Sequence, residues 1–142
     1  MKLVSALTLG LFVTAALVTA GCGGSTTAPT TPTAPPPTTT DTFNGTLAQN
    51  GSNIHTFTVS QLGEVDATLA SVTPLSTLAL GFVLGSYDGT TCSPGYENDN
   101  SRQGQVLSGT PTATGVFCVR VFDVGNVASG ATVNYTVTVT HP

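Results

Sequence analysis

Val133-Asn134-Tyr135-Thr136-Val137-Thr138-Val139-Thr140 sets Val133, Tyr135, Val137 and Val139 at every second position, with Asn134, Thr136, Thr138 and Thr140 between them. Side chains along a strand point alternately to its two faces, so a period of two makes one apolar face and one hydroxyl-bearing face. This is a half-buried strand with a threonine ladder outside. The same period runs backward through the chain. In 115–124 (GVFCVRVFDV), Phe117, Val119 and Val121 face inward. Val116, Cys118, Arg120 and Phe122 face outward there, because an arginine is seldom buried without a partner. In 64–72, Val65, Ala67 and Leu69 face in while Asp66 and Thr68 face out. In 54–59, His55, Phe57 and Val59 share one face. Residues 77–85 are apolar almost throughout, which predicts a strand covered on both sides at the centre of a sheet. Shorter strands are expected over 43–47 and 105–108. Turn chemistry separates them at Gln49-Asn50-Gly51-Ser52, Gly125-Asn126 and Ser129-Gly130. Residues 86–104 read as the longest irregular stretch. No segment of this region has helical periodicity, and seven or eight short strands in about 100 residues predict an all-β, antiparallel β-sandwich over 42–142.

The region upstream is built differently. Met1-Lys2 gives a short positive start, 3–20 carry no charge, and Val18-Thr19-Ala20-Gly21-Cys22 ends the run in small residues before a cysteine. This stretch resembles the lipobox of bacterial lipoproteins. The resemblance implies a signal peptide over 1–21, cleavage before Cys22, and acyl chains on that cysteine. It also implies export and lipid anchoring to the bacterial cell envelope. Gly23, rather than aspartate, follows the cysteine and favours the outer membrane over the inner. One acyl chain holds a protein only marginally, whereas two or three make release very slow. Residues 22–41 are rich in threonine and proline and hold no aromatic or large aliphatic residue, so they bury too little to offset chain entropy. They are expected to form a disordered tether, reaching on the order of 60 Å if extended as polyproline II.

Within the sandwich, Gly45-Thr46-Leu47, His55-Thr56-Phe57-Thr58-Val59 and Gly115-Val116-Phe117-Cys118-Val119-Arg120-Val121 are similar to a bacterial pre-peptidase C-terminal domain. The resemblance spans most of 42–142 and implies a jelly-roll-like sandwich. Relatives often carry an acidic cluster before the central strand. Here Ser76-Thr77-Leu78-Ala79-Leu80 stands in that place and offers no carboxylate.

Charge and cysteine use narrow the function. The chain has three Lys and Arg against seven Asp and Glu. Lys2, the one lysine, lies in the signal peptide, leaving Arg102 and Arg120. Such a surface cannot release counterions from phosphates, which excludes nucleic acid as a partner, and it does not attract anionic lipid, leaving lipid on Cys22 as the membrane attachment. Lipidation of Cys22 leaves Cys92 and Cys118, an even pair in an oxidising compartment, and predicts a disulfide. Closing a loop of about 27 residues stabilises by roughly 3.5 kcal/mol on the chain-entropy model. Neither His55, inside a strand, nor His141, next to the last residue, suggests a general base, and no phosphate loop or metal-ligand spacing occurs. No catalytic residue, metal or cofactor is expected. Asp88, Glu97 and Asp99 are the one carboxylate cluster on the irregular stretch, and Tyr87 and Tyr96 could stack on a sugar. The expectation is a non-catalytic surface or periplasmic lipoprotein with a structural or recognition role and a protein or glycan partner. The alternative is a carbohydrate- or calcium-binding module that uses residues 86–102.

Overall fold

Every stretch read with period two becomes a strand, and one stretch read as irregular does so too. The computed structural model describes residues 34–142. The signal peptide, Cys22 and residues 22–33 of the tether lie outside the described residues. Eight strands follow: β1 (Thr39–Ala48), β2 (Ser52–Val59), β3 (Val65–Thr73), β4 (Leu80–Tyr87), β5 (Cys92–Ser101), β6 (Val106–Gly109), β7 (Gly115–Phe122) and β8 (Thr132–His141). They form two four-stranded sheets, β1-β8-β3-β6 and β2-β7-β4-β5, with antiparallel pairing throughout. The chain changes sheet at every connection except the β4–β5 hairpin, which is how a jelly roll closes two Greek keys into one sandwich.

The core lies between the sheets. Val133, Tyr135, Val137 and Val139 of β8, Val65, Ala67 and Leu69 of β3, and Val119 and Val121 of β7 are all buried there. On β8 the alternation is unbroken, and Asn134 stays exposed. Between Leu69 and Ser71 the register of β3 slips against β8. The extra residue restores the inward direction to Val72, which is buried. Two polar rings sit at the flank of this core. His55 Nε2 lies 2.8 Å from the Tyr135 hydroxyl, and Phe43 stacks on the imidazole at 5.1 Å. At the far end Asp123 gathers the loops: its carboxylate accepts backbone N–H groups of Asn50, Gly125, Asn126 and Val127. That ties the β1–β2 turn to the β7–β8 connection.

Two sequence expectations are corrected. The tether does not run to Asp41. β1 begins at Thr39, because Thr39, Thr40 and Asp41 pair with His141, Thr140 and Val139. Asp41 Oδ2 lies 3.1 Å from Nε2 of the buried His141. Residues 86–104 are not one irregular loop either. Ser86 and Tyr87 complete β4, and 92–101 form β5, whose Pro94, Gly95, Asn98 and Asn100 conceal a strand that depends on pairing with β4. Proline and glycine are tolerated there because β5 is an edge strand, interrupted by two register shifts.

The cysteines close the outer face of the second sheet. Cys92 and Cys118 form a disulfide with Cα atoms 5.8 Å apart. They belong to β5 and β7, which are not neighbours, since β4 lies between. The start of β5 therefore crosses over the outer side of β4 at Gly85, where a Cβ would collide with the Ser93 carbonyl. Val83 is buried under this crossing with both cysteines, flanked by Tyr87 and Phe122. That is why the β4 sequence is apolar on both faces.

Replacing both cysteines by alanine should remove about 3 kcal/mol, read as a lower urea midpoint with an intact folded baseline. An unchanged midpoint would mean that the cross-link constrains nothing. Burial pushes the His55 pKa below 6.5. The unfolded chain then binds more protons between the two values, so stability is complete above about pH 6.5 and falls on acidification. The difference in Tm between wild type and His55→Gln should therefore change between pH 7 and pH 5, narrowing toward acid. A constant difference would contradict this.

Candidate binding groove

The sandwich is open at the end where β1 starts and β8 finishes, between the β4–β5 hairpin and the β6–β7 connection. A groove of about 440 Å³ lies there. Its apolar surface comes from Val65, Leu84, Pro94, Tyr96, Pro111 and Phe117. Hydroxyls are supplied by Ser86, Ser93, Thr110 and Thr112. Among the described residues no carboxylate, histidine, lysine or arginine lines it.

Each part has a local cause. Tyr96 pairs across the strands with Leu84, whose side chain enters the core. Paired residues share a face, so the Tyr96 ring lies on the inner side, at the edge where β5 meets β6. It packs where a side chain on Gly109 would stand, so that a glycine at this position makes room for the ring. Half of Tyr96 is nevertheless open to solvent, 51%. Phe117 opens β7 on the inner face and packs on Phe57 with centroids 6.1 Å apart. It is only partly buried, because among the described residues no further layer covers the sandwich at this end. Pro94 and Pro111 add rigid apolar surface without free N–H groups.

The structure separates the residues that the sequence grouped. Tyr87 and Tyr96 lie on opposite faces of the second sheet: Tyr87 packs on the Cys92–Cys118 cluster, and its hydroxyl donates to Gly89 O at 3.0 Å. Asp88 sits in the hairpin turn. Its carboxylate accepts the Thr91 hydroxyl (2.6 Å) and N–H (2.7 Å), and the Thr90 N–H (2.8 Å) and hydroxyl (2.9 Å). The Thr91 hydroxyl above all, with the other three donors, holds this fully exposed acid far below the usual carboxylate range. Glu97 faces outward and lies 3.4 Å from Arg120, whose guanidinium covers Phe122 at 4.6 Å. Asp99 is exposed farther along β5. The three acids do not converge, and among the described residues no group of three His, Cys, Asp or Glu side chains could hold a metal ion. Cys22 lies outside the described residues.

Of the five candidate ligand residues, then, only Tyr96 reaches the groove. Phe117, Leu84 and Val65 were legible as core, but nothing in their alternation marks the end of a strand at which the core is uncovered. Gly109-Thr110-Pro111-Thr112 carries no expectation from the sequence, and its contribution to a groove follows from β6 lying opposite β5.

No family model matches the chain, and no curated protein matches it. Among solved structures it is similar to the crystal structure of Yersinia pseudotuberculosis-derived mitogen, with a TM-score of 0.53 and 18% identity. The match covers 73% of this chain and 86% of that one. At that identity the likeness is one of fold.

Proposed function

We propose that this protein is a non-catalytic recognition module, lipid-anchored to the bacterial envelope through Cys22, that binds a neutral ligand in the Tyr96 groove. The observation that carries the reading is the lining of the groove: aromatic and aliphatic surface with four hydroxyl side chains and no charged or general acid–base group. A neutral carbohydrate fits this chemistry. Its apolar ring face would lie on Tyr96, and its hydroxyls would exchange hydrogen bonds with Ser86, Ser93, Thr110 or Thr112. The calcium alternative has less support, since Asp88 spends its oxygens on its own turn and Glu97 on Arg120. Anchoring rests on the resemblance of 18–22 to a lipobox and on the thiol-free remainder: with Cys92 and Cys118 bonded to each other, Cys22 is the cysteine left for modification.

Titrating the detergent-solubilised full chain with neutral oligosaccharides should raise its Tm. Tyr96→Ala should weaken binding about tenfold, as loss of one stacking contact predicts. Gly109→Val, which expels the Tyr96 ring, should weaken it as much. No shift with any neutral oligosaccharide, or equal binding by both variants, would overturn the groove assignment. For the anchor, mass spectrometry of the protein extracted from membranes should find a chain that starts at an acylated Cys22. A chain retaining Met1 or an unmodified Cys22 would refute lipidation.

A further inference from the structure

The outer face of the first sheet has no role in the groove, yet its side chains form a regular array. Across β1, β8 and β3 the register aligns Thr42, Thr138 and Thr68, then Asn44, Thr136 and Ser71, then Thr46, Asn134 and Thr73. These nine positions carry a hydroxyl or an amide and no charge; Ala70 sits at the β3 bulge between Thr68 and Ser71, and Asp66, which accepts the Ser108 hydroxyl, stands in the next row, opposite Thr140. Rows in a sheet stand about 4.8 Å apart between strands and about 6.8 Å apart along them, so the array is a grid of hydrogen-bonding groups. Its lower two rows line a second groove, of about 410 Å³.

Two features separate this grid from an ordinary polar surface. The side chains are short and mostly β-branched, with little rotamer freedom to lose on binding. They are also fixed by each other: the Thr46 hydroxyl donates to Asn134 Oδ1 at 2.7 Å, and the Thr136 hydroxyl donates to Asn44 Oδ1 at 2.8 Å. Each ladder bond consumes the amide oxygen of an exposed asparagine and leaves its NH₂ as a donor, while the threonine oxygens keep lone pairs. The lining holds no charge for an ionic partner, and the one aromatic residue among it, Tyr135, turns its ring into the core. Protein interfaces concentrate aromatic residues at their centre and this face has none, so a protein partner fits poorly.

We infer that this face is a second binding surface, whose ligand is a neutral polysaccharide chain lying across β1, β8 and β3 and held by the amide groups of Asn44 and Asn134 and the flanking hydroxyls. A polyhydroxylated chain presents donors and acceptors at short repeat without charge, which is the complement of the grid. The site is independent of the Tyr96 groove and stands on the opposite sheet's outer face.

The test is a pull-down of the detergent-solubilised full chain on cellulose, cross-linked dextran and chitin, with carboxymethyl-cellulose as the anionic counterpart. The expected result is retention on at least one neutral matrix and weaker retention on the anionic one. Asn44→Asp with Asn134→Asp preserves both ladder acceptors, exchanges each NH₂ for an oxygen and adds charge. This double variant should lose retention at least tenfold with an unchanged Tm, whereas Tyr96→Ala should be retained like wild type. Wild type passing through all three neutral matrices, or binding the anionic one as well, would overturn the proposal. So would retention of the double variant, or loss of retention with Tyr96→Ala alone, which would move the binding to the groove.

Discussion

The path of β5 is set by one covalent constraint. Cys92 can reach Cys118 only if the chain crosses over β4, and the crossing is possible because position 85 has no side chain. Past the crossing, the strand returns to the edge of the sheet and its alternation resumes on the inner side at Tyr96, next to the space above Gly109. Val83 is sealed beneath the crossing and Leu84 is pinned into the core on the other face. The disulfide therefore does more than shorten the unfolded chain. It fixes where an otherwise weak strand, with its proline, glycine and asparagines, enters the sheet, and so where the one exposed tyrosine of the groove is delivered.

How far the sequence could be read follows from this. On β8, β7 and β3 the burial of one face is itself the signal, so period two located the strands and assigned their faces, including Arg120 outward. β4 was legible as a central strand because both of its faces are covered, one by the main core and one by the cystine cluster. β5 was illegible for the complementary reason. Its residues between Cys92 and Ser101 are all at least partly exposed, so no apolar face is written into them. Its strand character comes from β4 and from the disulfide, neither of which a local pattern reports. The candidate site inherited the error. Tyr87 and Tyr96 are neighbours in a loop, but in a hairpin with two register shifts they fall on opposite faces. The start of β1 was missed for a related reason: Thr39, Thr40 and Asp41 continue a threonine-rich tract without a break, and only pairing to β8 distinguishes them.

The scarcity of charge, which at the level of composition only excluded partners, acquires a location in the structure. Four of the seven acids have these uses: Asp88 closes the β4–β5 turn, Asp123 ties the far loops, Asp41 meets His141, and Glu97 meets Arg120. An exposed pair such as Glu97–Arg120 contributes little to stability in water, but the arrangement leaves the Tyr96 groove neutral and puts one carboxylate, Asp66, bonded to Ser108, beside the threonine grid. An ionised side chain within the groove would favour an ionic partner and raise the cost of desolvating a neutral one. The hydroxyl and amide lining at both places is a property of the sheet register, which brings Thr, Ser and Asn together from strands far apart in sequence.

The direction of the chain bears on how the two surfaces are used in the proposed anchored state. β1 begins at the same end of the sandwich as the groove, so a tether that leads to Thr39 restrains the domain by its groove end. The threonine grid runs along the side of the first sheet and is unaffected by that restraint. Two weak, independent contacts on one tethered body reinforce each other through effective concentration, without new interactions at either site. A domain that binds weakly at each surface would in this way hold an extended neutral polymer close to the envelope, which the affinity of either surface alone would not achieve.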